Sequence, residues 1–392
     1  MSPEPENVDR RSVLLVGTGA FLFWFSLYLY VPLLPLHAEH LGSSLSMVGL
    51  IVSSYAIAQV TLRIPIGVAG DVLGRRKPFA AGALACSALG AFGLASAPDP
   101  WSLFGARTLT GVGAAGWVAV SVLYNSYFPR NQLPRAVAQV MAINATALVA
   151  ASLGGGLVSE RLGTAATFHG AAGGGVVGFV LMMLAREPLI VRPSSYSVVH
   201  FLAVLRTPLL LTVGGIGIFL QFVNFGGSFG YVPIFAERLG ASDAEVGYVT
   251  TAMFVAGVVA TLIFTRVVRR LGFRRTILLG ALAAAVGMGV VPAITDVWVL
   301  MGSQFLGGLG RGLIGTALIS LALHSVGPED RGTAMGIYQA VYAVGMITGP
   351  AICGYLAEAA SLASVFYLLT AVSLLAGLAG LARIVPADSG QD

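Results

Sequence analysis

Long apolar runs, broken only by short clusters of charge, proline or glycine, recur along the whole chain. Their approximate limits are 13–36, 46–66, 79–97, 101–124, 136–158, 165–185, 209–234, 246–265, 276–295, 298–322, 333–356 and 362–383. Each is close to the roughly 20 residues with which an α-helix crosses about 30 Å of hydrocarbon. The runs are continuously apolar instead of alternating, which predicts helices and argues against barrel strands. Twelve crossings are therefore expected. Pro98-Asp99-Pro100 alone parts the third run from the fourth, and the ninth and tenth divide around Asp296.

Composition agrees with that pattern. Of 392 residues, 56% are apolar and 10% charged, whereas a soluble chain carries about 25% charged residues. An ordinary soluble enzyme and a disordered chain are both excluded. The 51 glycines are scattered through the apolar runs, where they serve close helix packing. Cys86 and Cys353 both lie inside apolar runs, so no disulfide framework is expected. Ser2 to Arg11 is short and polar, and the run after it is about twice the length of a signal-peptide core, which predicts a retained first helix.

A formal charge of +5 invites a polyanion partner until the basic residues are placed. With the N-terminus inside, 17 of the 22 Arg and Lys fall in alternate, inner segments. Only Arg161 and Arg238 fall outside, and Arg63, Arg107 and Arg311 lie within spans. This asymmetry is the positive-inside signature. It predicts a multi-pass protein of the cell membrane with both termini cytoplasmic, and no nucleic-acid partner.

The chain also repeats itself. Pro35-x-x-Ala38-Glu39-x-Leu41-Gly42 recurs as Pro233-x-x-Ala236-Glu237-x-Leu239-Gly240. Val48-Gly49 recurs as Val246-Gly247, and Gly74-x-Arg76-Lys77 as Gly272-x-Arg274-Arg275, always 198 positions on. Six spans separate the copies, so the halves share one orientation, a parallel repeat. The expected organisation is an N-terminal six-helix bundle over 1–185, a cytoplasmic linker over 186–207 and a C-terminal six-helix bundle over 208–392. Within the linker, Tyr196 to Leu205 has the pattern of a brief surface helix.

Between the second and third spans stands Gly67-x-x-x-Asp71-x-x-Gly74-Arg75-Arg76-Lys77. With twelve spans, a six-plus-six repeat and this loop, the chain resembles the major facilitator superfamily over essentially its whole length. The loop is similar to that family's signature, although Val72 stands where an Arg is usual. In it, Gly67 is expected to let helices approach and Gly74 to allow a tight turn. Asp71, pairing with Arg75 or Arg76 or facing a helix N-terminus, would act as a cytoplasmic gate; the competing reading is a solvated basic loop kept for topology. In the second half Thr265 and Arg269 replace Gly67 and Asp71, so such a gate would be asymmetric.

Arg107-x-x-x-Gly111-x-Gly113 on the fourth span is similar to a pattern of the superfamily's proton-coupled drug exporters. An arginine within a span costs roughly 2.5–3.5 kcal/mol on insertion scales, so it faces a cavity, a partner or the headgroups. Arg311 lies deeper, on one face with Gln304, Gly308 and Gly315. The resemblance implies that the first, fourth, seventh and tenth helices line a central cavity. Candidate substrate or coupling residues are Arg107, Arg311, Gln221, Asn224, Gln304, Tyr28, Gln339 and Tyr342. Their structural counter-readings are packing for the aromatics and snorkelling or carbonyl bonding for the arginines. Gly111, Gly155, Gly156, Gly349, Pro350 and Gly354 are candidates for close-packed seams along which helices slide. The fifth span lacks the Gly-Pro that exporters of the family often show, having Ala151-Ser152 there, while the eleventh keeps Gly349-Pro350.

All 17 acidic residues lie in tails, loops or the ends of spans. Two intramembrane arginines without acidic neighbours leave a positive cavity, which favours an anionic or neutral solute. No P-loop, metal-ligand spacing or nucleophile with its base is present, so neither enzyme chemistry, cofactor nor metal is expected. Three functions are weighed. The first, which the fourth-helix resemblance favours, is a secondary transporter working by alternating access as a proton-coupled multidrug exporter. The second is an organic-anion or metabolite carrier, and the third a non-transporting membrane sensor or scaffold. The expected partners are a small-molecule substrate, protons and the bilayer, and the expected state is a monomer.

Overall fold

A computed structural model describes residues 9–188, 203–327 and 330–384, without the side chains of Asp71 and Arg130. The surface helix anticipated within 196–205 falls largely outside these residues. Among the described residues no strand occurs. The first six spans are built from α1 (Arg10–Tyr28), α2 (Leu34–His40), α3 (Leu45–Leu73), α4 (Lys77–Ala95), α5 (Pro100–Ala115), α6 (Trp117–Asn125), α7 (Leu133–Leu162) and α8 (Thr164–Leu184). The second set is α9 (Pro208–Val223), a π-helical segment (Asn224–Tyr231), α10 (Val232–Arg238), α11 (Asp243–Gly289), α12 (Val297–His324), α13 (Arg331–Ala359) and α14 (Leu362–Arg383).

Eleven of the described helical stretches are long and apolar enough to cross a bilayer. One of them, Asp243–Ala293, has 51 residues and holds both the eighth and ninth runs. It breaks at Gly272, whose φ of 71° is left-handed. The twelve crossings read from hydropathy are therefore all present. Three spans are less regular than expected, the seventh passing through the π-helical turns of Asn224–Tyr231. The first turns irregular over 29–33 before Pro35, which sits in the first turn of α2 because it has no N–H to lose there. The fourth divides at Gly116 into α5 and α6.

The sequence repeat is visible in the backbone. Gly42 and Gly240 have φ of 83° and 84°, and Gly74 and Gly272 have 64° and 71°. These turns need a residue without Cβ, so the two halves reuse the same punctuation. Asp99 caps α5 by accepting from the N–H groups of Trp101 and Ser102 at 2.9 and 3.1 Å. Asp296 caps α12 in the same way, from Trp298 and Val299 at 2.9 and 3.1 Å.

The described chain forms two compact units. One takes in the described residues within 1–43, 54–195 and 242–247; the other takes in those within 44–53, 196–241 and 248–392. In the first, α4 packs on α5 and α8, and α1 packs on α7 and α8. Its centre holds Phe23, Leu27, Leu84 and Phe168, all fully buried. In the second, α9 packs on α12, α13 and α14, around Val213, Ile277, Ala281, Ala317 and Leu318. The other helix faces are apolar and exposed, as with Leu89, Phe92, Val176, Leu262 and Leu378. Such faces are stable only against hydrocarbon.

Candidate functional site

Arg107 sits two turns into α5, where the Asp99 cap and Pro100 fix the helix start. It is 4% exposed, so it does not snorkel. Its guanidinium carbon lies 4.3 Å from the Tyr55 ring centre and 5.5 Å from that of Tyr30. Nη1 donates to the Tyr30 hydroxyl at 3.1 Å and to Thr110 Oγ1 at 3.4 Å. The arginine is thus held in an aromatic cage, where desolvated cation–π contacts are strong. Gly111 makes the cage possible. A Cβ there would stand 2.3 Å from the Tyr55 carbonyl oxygen. Tyr28 belongs to a neighbouring aromatic cluster: the Trp24 ring centre lies 5.6 Å from that of Tyr28, the rings tilted, and meets Trp117 edge-on at 5.1 Å.

Arg311 has a different environment. It stands near the middle of the 28-residue α12 and is 5% exposed. Among the described residues, Nε, Nη1 and Nη2 all lack a hydrogen-bond partner. The side chain folds over Gly307, where an added Cβ would lie 2.9 Å from Nη1. Two contacts fix what stands opposite. Ser228 Oγ donates to Gln304 Oε1 at 3.4 Å, and the Gly315 Cβ position is 3.6 Å from Leu220. Arg311 falls between these two crossings on α12, and Asn224 falls between them on the facing segment. Asn224 Nδ2 donates to Gln221 Oε1 at 2.9 Å. Counted along the two helices from these crossings, Arg311 falls at about the depth of Asn224, which is bonded to Gln221.

Gln304 is satisfied locally. It is 1% exposed, and its amide nitrogen donates to Gly287 O and Ser303 Oγ, both at 3.4 Å. It also occupies, 197 positions on, the place of Arg107; Gly308 and Gly310 likewise match Gly111 and Gly113. Gln339 and Tyr342 are half-buried on α13. The Tyr342 ring meets Tyr338 edge-on at 5.0 Å, and Tyr342 Cβ would lie 3.0 Å from a Cβ on Gly217. Sequence reasoning missed Tyr30 and Tyr55 as partners of Arg107, and it missed the π-helical segment that begins at Asn224. Gly226-Gly227 and Gly230 were the available signal for that segment, whose wider turns recur at functional sites.

The signature loop corrects one expectation. A Cβ on Gly67 would meet only Val118, at 4.0 Å, so Gly67 is not the point of close approach. Gly70 instead lies under a side chain: a Cβ there would be 2.4 Å from Nη1 of Arg76. Arg76 is buried and donates to the Gly67 carbonyl at 2.8 Å, while Arg75 is exposed. The tight turn at Gly74 is as expected. The Asp71 side chain lies outside the described part. The seam residues do pack closely. A Cβ would stand 1.7 Å from Leu29 O at Gly155, 2.7 Å from Asp243 O at Gly156, and 2.6 Å from Phe222 O at Gly349. At Gly354 it would stand 2.4 Å from the Tyr231 hydroxyl; Pro350 lies inside α13 between the last two glycines.

Among the described residues no group of three His, Cys, Asp or Glu side chains is placed to hold a metal ion. A groove of about 450 Å³ runs between α9 and α14, lined by Leu211, Ile216, Phe219 and Arg383 among others, and it contains none of the site residues above.

The sequence profile of the Major Facilitator Superfamily matches residues 16–237 and 214–391. The inner membrane transport protein YajR of Escherichia coli is 26% identical over 362 residues, 89% of this chain and 78% of that one. A variant of the nucleoside transporter NupG superposes with a TM-score of 0.80 at 14% identity, covering 95% of this chain and all of the other. The human organic anion transporter MFSD10 does so at 0.69 and 18%, covering 96% and 100%. At those identities the two structures speak for the fold alone. The profile spans nearly the whole sequence, and the chain therefore belongs to the Major Facilitator Superfamily, as a polytopic membrane transporter and not an enzyme.

Proposed function

We propose that this protein is a secondary transporter of a small organic solute bearing a negative charge, and that Arg311 is its charge partner. The carrying observation is the buried guanidinium of Arg311, with no hydrogen-bond partner at any of its three nitrogens among the described residues. Leaving a charge buried and unpaired costs several kcal/mol, roughly. A carboxylate or phosphate monoester, which a guanidinium binds through two parallel hydrogen bonds, relieves that cost. Asn224 and Gln221 at the same depth supply neutral donors and acceptors for the rest of the solute. Arg107, already caged by Tyr30 and Tyr55, serves the structure of its own unit. The organic anion transporter among the structural neighbours is consistent with this reading.

The wider reading is of two six-helix bundles, 1–185 and 208–392, joined by a cytoplasmic segment 186–207 and working by alternating access, with both termini cytoplasmic. Proton-coupled multidrug export is the reading this one displaces. No acidic residue stands mid-span to carry the proton or attract a cation.

Flux into proteoliposomes tests the proposal, using labelled aromatic carboxylates, phosphate monoesters and the cationic dye ethidium, with and without a pH gradient. Transport of an anion that Arg311→Gln abolishes is expected. Proton-linked movement of ethidium that survives Arg311→Gln would overturn it.

A further inference from the structure

Each compact unit includes the opening turns of a helix whose remainder lies in the other. Residues 44–53, the beginning of α3, cluster with the second unit, and 242–247, the beginning of α11, with the first. Helix starts leave several main-chain N–H groups without an internal partner. At α3, Ser44 Oγ accepts from the N–H of Met47 at 3.3 Å. At α11, Ser242 Oγ accepts from Glu245 at 3.4 Å, and Glu245 Oε2 in turn accepts from the Ser242 N–H at 2.9 Å, a reciprocal cap.

Neither serine reaches the second N–H of its helix. In both cases a carboxylate far away in sequence does. Glu358, in the last turn of α13, accepts from the Ser46 N–H at 3.0 Å. Glu160, in the last turn of α7, accepts from the Ala244 N–H at 3.3 Å. Donors 46 and 244 are 198 residues apart, and so are acceptors 160 and 358. The glycines that admit the contact are related in the same way. A Cβ on Gly354 would lie 2.7 Å from Leu45 O, and one on Gly156 would lie 2.7 Å from Asp243 O. One difference is that Ser159 adds a hydroxyl bond to the Asp243 carboxylate, whereas on the other side the Tyr231 hydroxyl donates to Leu45 O at 2.7 Å.

We propose that Glu160 and Glu358 are a repeat-related pair of positioning residues for transport. Each carboxylate holds the positive end of a helix contributed by the opposite repeat, and the two bonds release and re-form together in every cycle. Carboxylates suit this task because they favour a helix N-terminus yet, being exposed here, hold it weakly enough to let go.

The test is hydrogen–deuterium exchange of the intact protein in nanodiscs, read in peptides covering 44–50 and 242–248. Glu358→Gln is expected to speed exchange in 44–50 alone, and Glu160→Gln in 242–248 alone, by about three- to tenfold. The Glu→Asp variants, shorter but still charged, should fall between wild type and Gln, and they serve if a Gln variant folds poorly. In a background carrying Cys86→Ser and Cys353→Ala, spin labels at Ser43 and Ser361 should show a broadened distance distribution in the double Gln variant. Exchange that rises only in the last turns of α7 and α13 would overturn the proposal. So would altered exchange with an unaltered distance distribution, which would leave the two glutamates as local caps.

Discussion

The two buried arginines make opposite predictions for stability. Replace each by methionine, which has similar length and no charge. At Arg311 the substitution removes a guanidinium with three unpartnered nitrogens. Exchanging buried charge for well-packed apolar side chains is worth about 1–4 kcal/mol of added stability when the charge is poorly compensated. At Arg107 it removes two ring contacts, each about 1–2 kcal/mol when desolvated, and charge-assisted hydrogen bonds to Tyr30 and Thr110. Even after relief of desolvation the net effect is a loss of about 2 kcal/mol. For units of this size 1 kcal/mol moves the melting midpoint by roughly 2–4 °C. Thermal unfolding in detergent, without added solute, should therefore rise by about 2–16 °C for Arg311→Met and fall by about 4–8 °C for Arg107→Met. A binding anion at a hundredfold excess over its Kd should stabilise the wild type by about 2.7 kcal/mol and leave Arg311→Met unmoved. If both variants shift in the same direction, the contrast drawn between a caged and an uncompensated arginine is wrong.

Three further outcomes are expected. Gly155→Ala should destabilise by about 1–3 kcal/mol, since its Cβ would stand 1.7 Å from the Leu29 carbonyl; Gly105→Ala, with nothing within 4 Å, should gain about 0.5–1 kcal/mol from helix propensity. Paired thermal melts check both. The Asp99 carboxyl is held below its usual range first by the Ser102 hydroxyl and then by main-chain N–H groups. Its capping contribution is thus complete above the unfolded value near pH 4 and is lost as pH falls through the lower folded value. Exchange protection of residues 101–104 should drop there in wild type and stay level in Asp99→Asn, which caps without titrating. Given the buried Arg76 and the Gly74 turn, Asp71→Asn should slow turnover of the transported solute while leaving its half-saturation in place, and unchanged turnover would remove Asp71 from the gate.

Much of the architecture was legible because the solvent dictates it. Twelve crossings follow from run length, and the internal repeat from paired turns such as Gly42 with Gly240. What hydropathy does not carry is local winding. The irregular 29–33 stretch, the division at Gly116 and the π-helical turns after Val223 all lie inside long apolar runs, where glycines and prolines mark them but the hydropathy does not change. Partnership was equally hidden. Arg107 and Arg311 look alike in sequence, each on a glycine-rich helix, and only packing shows that tyrosines 77 and 52 residues upstream enclose the first and not the second. Gly67 was read as the glycine that lets helices approach, whereas only Val118 stands near it and the long side chain of Arg76 reaches Gly70.

The non-α stretch at 29–33 and the π-helical segment at 224–231 sit at corresponding places in the two halves. A peptide group released from regular winding has no water to turn to inside hydrocarbon. Leu29, Tyr30, Val31 and Leu33 in one half, and Phe225, Ser228 and Tyr231 in the other, are accordingly all shielded from the exterior. These stretches cannot be judged by the side chains alone. Trimming a bulky neighbour there would bring lipid tails against irregular backbone, so the chain should forgive replacements along its straight, lipid-facing helices far more readily than at these two bends.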